Sequence, residues 1–218
     1  FLGNTIGFSI EKFNQNFRQY ATTGTHFDFS ARFIEGNENS EYTIKKGIKK
    51  TSIGKHNWVN FNLLYNFYPV NTKYYSFGLS FQGNASNMPD FGNYFGTLIS
   101  MPQFSPVPET TTLFLVNFRS NTWVTFGVMN VIKPIKIIQL RIEGYFFQPA
   151  FQIFPGSEGQ VNEAPLFENT YYILSGAVVY QTRIGPLSFN FNYYSNSFPN
   201  TTFSLNFGYT LFNKSAWN

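Results

Sequence analysis

Leu187-Ser188-Phe189-Asn190-Phe191-Asn192-Tyr193-Tyr194-Ser195 and Phe203-Ser204-Leu205-Asn206-Phe207-Gly208-Tyr209-Thr210-Leu211-Phe212 obey one rule. In the first, Leu187, Phe189, Phe191 and Tyr193 alternate with Ser188, Asn190, Asn192 and Tyr194. In the second, Phe203, Leu205, Phe207, Tyr209 and Leu211 alternate with Ser204, Asn206, Gly208 and Thr210. Successive side chains of a strand point to opposite faces, so each stretch has one apolar face and one polar, Asn-rich face. Alternation over about nine or ten residues with aromatics on the apolar side is the signature of a transmembrane β-strand.

Composition agrees. Aromatic residues make up 21% of the 218 residues, with 28 Phe and 14 Tyr, and charged residues only 12%. Soluble domains carry about twice that charged fraction. Mean hydropathy is nonetheless slightly negative, and no run approaches the ~18 apolar residues of a membrane helix. The hydrophobicity is spread by alternation, which also argues against disorder. The length suits a single β domain, residues 1–218. There is no cysteine, so disulfides and thiolate metal sites are excluded. The net charge of +4 is modest and gives no reason to expect nucleic acid. Phe1-Leu2-Gly3-Asn4 lacks the basic and apolar regions of a signal peptide, so an exported protein with this start is expected to be processed or part of a longer polypeptide.

The same rule predicts strands over Asn4–Phe13, His26–Phe33, Glu41–Lys50, Trp58–Phe67, Tyr75–Gln82, Phe91–Met101, Thr111–Arg119, Thr122–Asn130, Lys136–Phe147 and Tyr171–Gln181, ahead of the two quoted. The Lys-rich Glu41–Lys50, Phe91–Met101 and the doubly apolar Tyr171–Gln181 alternate poorly. Ser120-Asn121 reads as a hairpin turn, and Gln148–Asn169 as a long loop. The expectation is an all-β, antiparallel transmembrane barrel of about twelve strands, an even number that puts both chain ends on one side. Turns near 183–186, 131–135 and 68–73 fall on one side and are short; the loops at 84–91, 148–170 and 195–201 fall on the other. Short periplasmic turns opposite longer outer loops are characteristic of outer-membrane barrels. A soluble sandwich would turn its apolar face inward and carry more Lys and Glu on its polar face than the Asn and Ser present here.

Arg183-Ile184-Gly185-Pro186-Leu187-Ser188-Phe189-Asn190-Phe191-Asn192 resembles the penultimate strand of the BamA-like outer-membrane superfamily, and Phe203–Phe212 resembles its closing strand. Pro108-Glu109-Thr110-Thr111-Thr112-Leu113-Phe114-Leu115-Val116-Asn117-Phe118-Arg119 and Leu140-Arg141-Ile142-Glu143-Gly144-Tyr145-Phe146-Phe147-Gln148-Pro149 are similar to segments of the C-terminal barrel of Bacteroidetes patatin-like proteins. The resemblance covers roughly residues 57–212. It implies a bacterial outer-membrane location and a barrel that anchors or exports an attached domain, with an N-terminal patatin lipase and a periplasmic linker preceding it. It also implies recognition of the closing strand (Phe203, Leu205, Phe207, Gly208, Tyr209, Leu211, Phe212) by the barrel assembly machinery, and membership of an assembly or secretion complex as an alternative role. The superfamily commonly builds sixteen strands, so these strands could be part of a larger barrel. No Gly-x-Ser-x-Gly elbow occurs; the nearest, Gly78-Leu79-Ser80-Phe81-Gln82, lacks the second Gly, so no lipase chemistry is expected of this chain.

On the polar faces, Asp28, Arg32, Arg141 and Glu143 are candidate lumen charges. Arg141 and Glu143, two apart on one face, are expected to meet, either holding a plug or lining a path, or simply satisfying each other. Lys49, Lys50 and Lys55 are candidate contacts for lipopolysaccharide phosphates, beside the alternative of a solvated hairpin tip. The only histidines, His26 in a predicted strand and His56 in a predicted loop, have no HExxH-type spacing, so neither a metal nor a cofactor is expected. A small porin or specific channel is the alternative function; a lipid-modifying barrel enzyme is disfavoured for want of a Ser/His/acid constellation.

Overall fold

The computed structural model describes residues 1–43 and 49–208. Nine strands form one antiparallel sheet: β1 (Leu2–Phe13), β2 (Thr25–Thr43), β3 (Lys49–Asn71), β4 (Tyr75–Ser86), β5 (Trp123–Ile135), β6 (Ile138–Pro149), β9 (Tyr171–Thr182), β10 (Gly185–Tyr194) and β11 (Thr201–Phe207). Each pairs with the next in that order. A separate two-stranded ribbon, β7 (Ile153–Pro155) with β8 (Val161–Glu163), lies between β6 and β9 in sequence.

The alternation sorts as the sequence suggests, with the polar face buried. Asp28 and Ser30, Ser76 and Ser80, Gln139 and Glu143, and Ser188, Asn190 and Asn192 are all buried. Their neighbours Phe33, Phe81, Ile142, Phe189 and Phe191 are exposed, as are Phe203, Leu205 and Phe207. Contiguous exposed apolar patches larger than about a few hundred Å² mark protein or membrane interaction surfaces.

Where the expectation fails, it fails between β4 and β5. Phe91–Met101 is not a strand: Asn93 caps a short helix, α1 (Tyr94–Ser100), its side chain accepting from the Gly96 amide. Thr111–Arg119 is not a strand either, but lies across two 3₁₀ turns, Pro108–Thr112 and Val116–Phe118. Pro102, Pro106 and Pro108 supply no N–H for a ladder, and the segment balls up instead. Ser120-Asn121 is therefore no hairpin turn. The predicted strand Glu41–Lys50 divides between the end of β2 and the start of β3, with residues 44–48 outside the described residues. His56 sits within β3 rather than in a loop. The count falls from about twelve to nine, and that changes the parity. With every neighbour antiparallel, β1 and β11 run in the same direction, so the two chain ends of the sheet lie at opposite rims. No ladder joins β1 to β11 among the described residues. Of the predicted closing strand, Tyr209, Leu211 and Phe212 lie outside the described residues.

The loop asymmetry holds in part, since the long connection 14–24 shares the rim of the short turns. Turns 72–74, 136–137 and 183–184 are short and share one rim; 87–122, 150–170 and 195–200 share the other. At the loop rim β2 and β3 overshoot the sheet, because β4 ends at Ser86 opposite Asn60 while β3 begins at Lys49. Ile34 and Trp58, on the inner face of this overhang, pack with Phe91, Tyr94, Leu98 and Ile153. A second core forms where Phe104, Leu115 and Phe118 sit on Trp123, Phe147 and Tyr171. Each buried aromatic or leucine there is worth about 1.5–3 kcal/mol. This explains why β9 is apolar on both faces: Tyr171 and Ile173 meet the plugging segment, while Tyr172 and Leu174 face out.

Inward glycines make room for inward rings. A Cβ at Gly127 would lie 2.5 Å from Cδ1 of Tyr145, and one at Gly78 2.6 Å from Cε1 of Tyr68. Gly127→Val is expected to cost about 1–3 kcal/mol by overpacking. Gly176→Val, where a Cβ meets nothing within 4 Å, should stay within about 0.5 kcal/mol. Urea midpoints of the detergent-folded proteins measure both; equal losses would refute the packing account.

Candidate functional site

The chemistry-bearing surface is the concave, polar face of the sheet, filled by two segments of the chain itself. One is residues 14–24, which connects β1 to β2 at the short-turn rim and folds inward. Asn16 organises it: its Oδ1 accepts from the Thr22 amide at 3.0 Å and its Nδ2 donates to Thr22 Oγ1 at 2.9 Å. Gly24 closes the loop with φ 87°, against the Asn14 carbonyl. Tyr20 adopts a left-handed backbone, φ 58°, unusual for a bulky residue. The other segment is 87–122, which enters from the loop rim.

Arg141 and Glu143 do meet. Arg141 Nε donates to Glu143 Oε1 at 2.6 Å, and both side chains are almost fully buried. Arg141 also reaches Gln139 Oε1 at 3.0 Å, the Tyr68 hydroxyl at 3.3 Å and, from segment 14–24, the Ala21 carbonyl at 2.9 Å. The Tyr20 ring lies over the guanidinium at 5.6 Å. Tyr145 Oη donates to the second Glu143 oxygen at 2.6 Å. Beyond satisfying Glu143, Arg141 thus ties the 14–24 segment to β6 through the Ala21 carbonyl.

Tyr20 links that segment to the second one. Its hydroxyl donates to Glu109 Oε1 at 3.2 Å and lies 2.9 Å from Ser188 Oγ and 3.3 Å from Asn190 Oδ1. Asn206 Nδ2 donates to the same Glu109 oxygen at 2.7 Å. Burial pushes the Glu109 carboxyl above its ordinary range, and the nearby Glu143 charge adds to this, against hydrogen bonds that pull the other way. Burial, with the Glu109 charge beside it, raises the Tyr20 hydroxyl too. Glu109 and Tyr20 lie outside the strands and were not singled out from the sequence. Glu109 carried no signal beyond membership of a stretch read as structural. At the rim, the start of 87–122 is tied down by Glu38, whose carboxylate accepts from the Gly92 amide at 2.9 Å, Ser40 Oγ at 2.6 Å and His56 Nε2 at 2.9 Å.

Between the segments remains a cavity of about 260 Å³, lined by Arg18, Gln19, Tyr68, Pro108 and Arg141 among others. Asp28 and Arg32 lie on the inner face of β2, as expected, but on the far side of the meander from β6. Asp28 instead faces Glu11 across the β1–β2 ladder. Lys49 pairs with Glu41 at 2.8 Å and Lys55 with Glu35 at 2.5 Å, all on the overhang, where Lys50 also lies. Comparison with known proteins finds no matching family model, no matching curated protein and no matching solved structure.

Two outcomes test the site. Arg141→Met leaves Glu143 buried without its cation, and a loss of about 3–5 kcal/mol is expected; Arg141→Met with Glu143→Leu should recover part of it. Trypsin cleavage after Arg18 should accelerate in the single variant. The second outcome concerns pH. A carboxyl whose folded pKa is raised destabilises the docked state once ionised, so docking of 87–122 is strongest below the ordinary Glu range. It weakens as pH rises through the raised value. Trp123, packed on Phe104 at 5.6 Å, reports it by a red-shifted emission at higher pH. Glu109→Gln should flatten that transition; an unchanged profile would remove Glu109 as its origin.

Proposed function

We propose that the chain is an integral outer-membrane β-barrel unit that anchors or exports an associated domain, its apolar face in lipid and its polar face enclosed. The observation that carries this is the inverted burial: Phe, Leu and Ile exposed along strand after strand, opposite buried Ser, Asn, Gln, Arg and Glu. Water offers no reason for that arrangement, whereas a bilayer does. The low charge, the short-turn and long-loop rims and the resemblance to the barrel of patatin-like proteins support the same reading. Outer-membrane lipid is then the principal partner, with the barrel assembly machinery acting on the C-terminal strand and a lipase domain as the expected passenger.

In a bilayer, edges of β1 and β11 left unpaired would be costly, since unsatisfied backbone groups find no water there. Because the two edges run in the same direction, antiparallel closure requires an odd number of additional strands between β11 and β1. A barrel larger than nine strands, of the kind the superfamily builds, satisfies that parity. The filled interior favours an anchor over an open channel: 14–24 and 87–122 occupy the concave face. The overhang carries Lys49, Lys50 and Lys55 to the outer side, where exposed pairs with Glu41 and Glu35, worth about 0–1 kcal/mol, exchange readily for lipid phosphates.

The detergent-extracted protein should show a heat-modifiable gel shift and no conductance in planar bilayers, with channels appearing once 87–122 is deleted. A water-soluble protein without the shift would overturn the membrane reading. A stable ohmic channel in the intact protein would overturn the anchor. Replacing Lys49, Lys50 and Lys55 with Gln should reduce lipopolysaccharide retention; unchanged retention would remove that contact.

A further inference from the structure

Two carboxylates face one another across the first ladder. Glu11 in β1 is the direct partner of Asp28 in β2, and His26, two residues earlier, shares their face. Like charges placed directly opposite repel, and a cation between them would relieve that repulsion. His26 Nε2 lies 3.2 Å from Glu11 Oε1. One ligand atom from each of Glu11, His26 and Asp28 lies within 4.8 Å of the other two, the one such group among the described residues. The edge of the Phe13–His26 pair, with ring centres 5.1 Å apart, holds the imidazole in position.

A separate observation comes from β3. Asn66 is the ladder partner of His26, so it shares the inner face, and direct partners on one face have Cβ atoms about 4.5–5.5 Å apart. Its Oδ1 is buried and accepts no hydrogen bond from the protein. A buried acceptor without a donor, at the strand position opposite an imidazole, is suited to a cation.

We propose that Glu11, His26 and Asp28, with Asn66 as a further oxygen donor, form a binding site for a divalent transition-metal ion of the zinc class, which staples the edge strand β1 to β2. Imidazole with carboxylates suits such ions rather than magnesium or calcium. Bonds of about 2.0–2.2 Å in tetrahedral geometry set ligand atoms roughly 3.3–3.5 Å apart, close to the His26–Glu11 separation. Arg18, over the Phe13 ring at 5.5 Å, and Arg32, further along the inner face of β2, are the other charges of this neighbourhood. The site is independent of the membrane reading. Sequence spacing concealed it, because the ligands come from two strands whose register places Glu11 against Asp28.

Zinc chloride titrated into the full chain, folded in detergent, should bind with a stoichiometry near one by calorimetry and raise the melting temperature. His26→Gln and Asp28→Asn should each weaken binding about tenfold or more. His56→Gln, at the second histidine, should not. Absence of saturable binding, undiminished binding to His26→Gln, or an equal loss in His56→Gln would overturn the proposal. Should the substituted proteins misfold, Co²⁺ added to the unsubstituted chain decides it. Intense visible bands of a four-coordinate ion support the site, and a spectrum of hydrated Co²⁺ alone refutes it.

Discussion

A buried guanidinium must find acceptors on nearly every side, and Arg141 finds them on three elements: Gln139 and Glu143 on its own strand, Tyr68 on β3, and the Ala21 carbonyl of an incoming loop. The interior depends on this requirement. A polar concave face left to itself would be a wet trough. Supplied with a cation that its own strand can only partly satisfy, it draws a piece of backbone inward. Once Ala21 is in place, Tyr20 lies over the guanidinium and its hydroxyl reaches Glu109 and Ser188. The two filling segments are thus joined through one side chain, and neither is docked by apolar contact alone.

The filling is graded along the axis of the sheet. Toward the short-turn rim the contacts are polar and charge-assisted, which gives them direction and makes them responsive to protonation. Toward the loop rim they are aromatic, with Phe104, Phe118, Trp123 and Phe147 interlocked at centroid distances of 5.5–5.6 Å. Aromatic packing supplies bulk free energy without strict geometry. The polar half therefore fixes how the segments sit, and the aromatic half keeps them there.

Much of this was legible in the residues. Period-two alternation identified β1, β4, β10 and the core of β3, and the Arg141–Glu143 contact followed from two-residue spacing on one strand. What misled was Phe91–Arg119, whose apolar residues are as dense as those of a strand because they pack against the inner face of the sheet rather than lying in it. Density without strict alternation, broken by Pro102, Pro106 and Pro108, was the available warning. Glu11, Tyr20 and Glu109 lay beyond reach for another reason: each matters through a partner far away in sequence, and register between strands is not written in any local pattern.

The overhang of β2 and β3 behaves as a stiff ribbon projecting from the loop rim. From Asn60, where β4 ends, to Lys49 it extends roughly 35 Å at the usual rise per residue. About midway along it, where Glu38 is the ladder partner of Gly54, Glu38 grips the Gly92 amide. A load on the ribbon is passed through Glu38 to the start of the segment that fills the interior. The ribbon and the segment that fills the interior are in this way mechanically coupled.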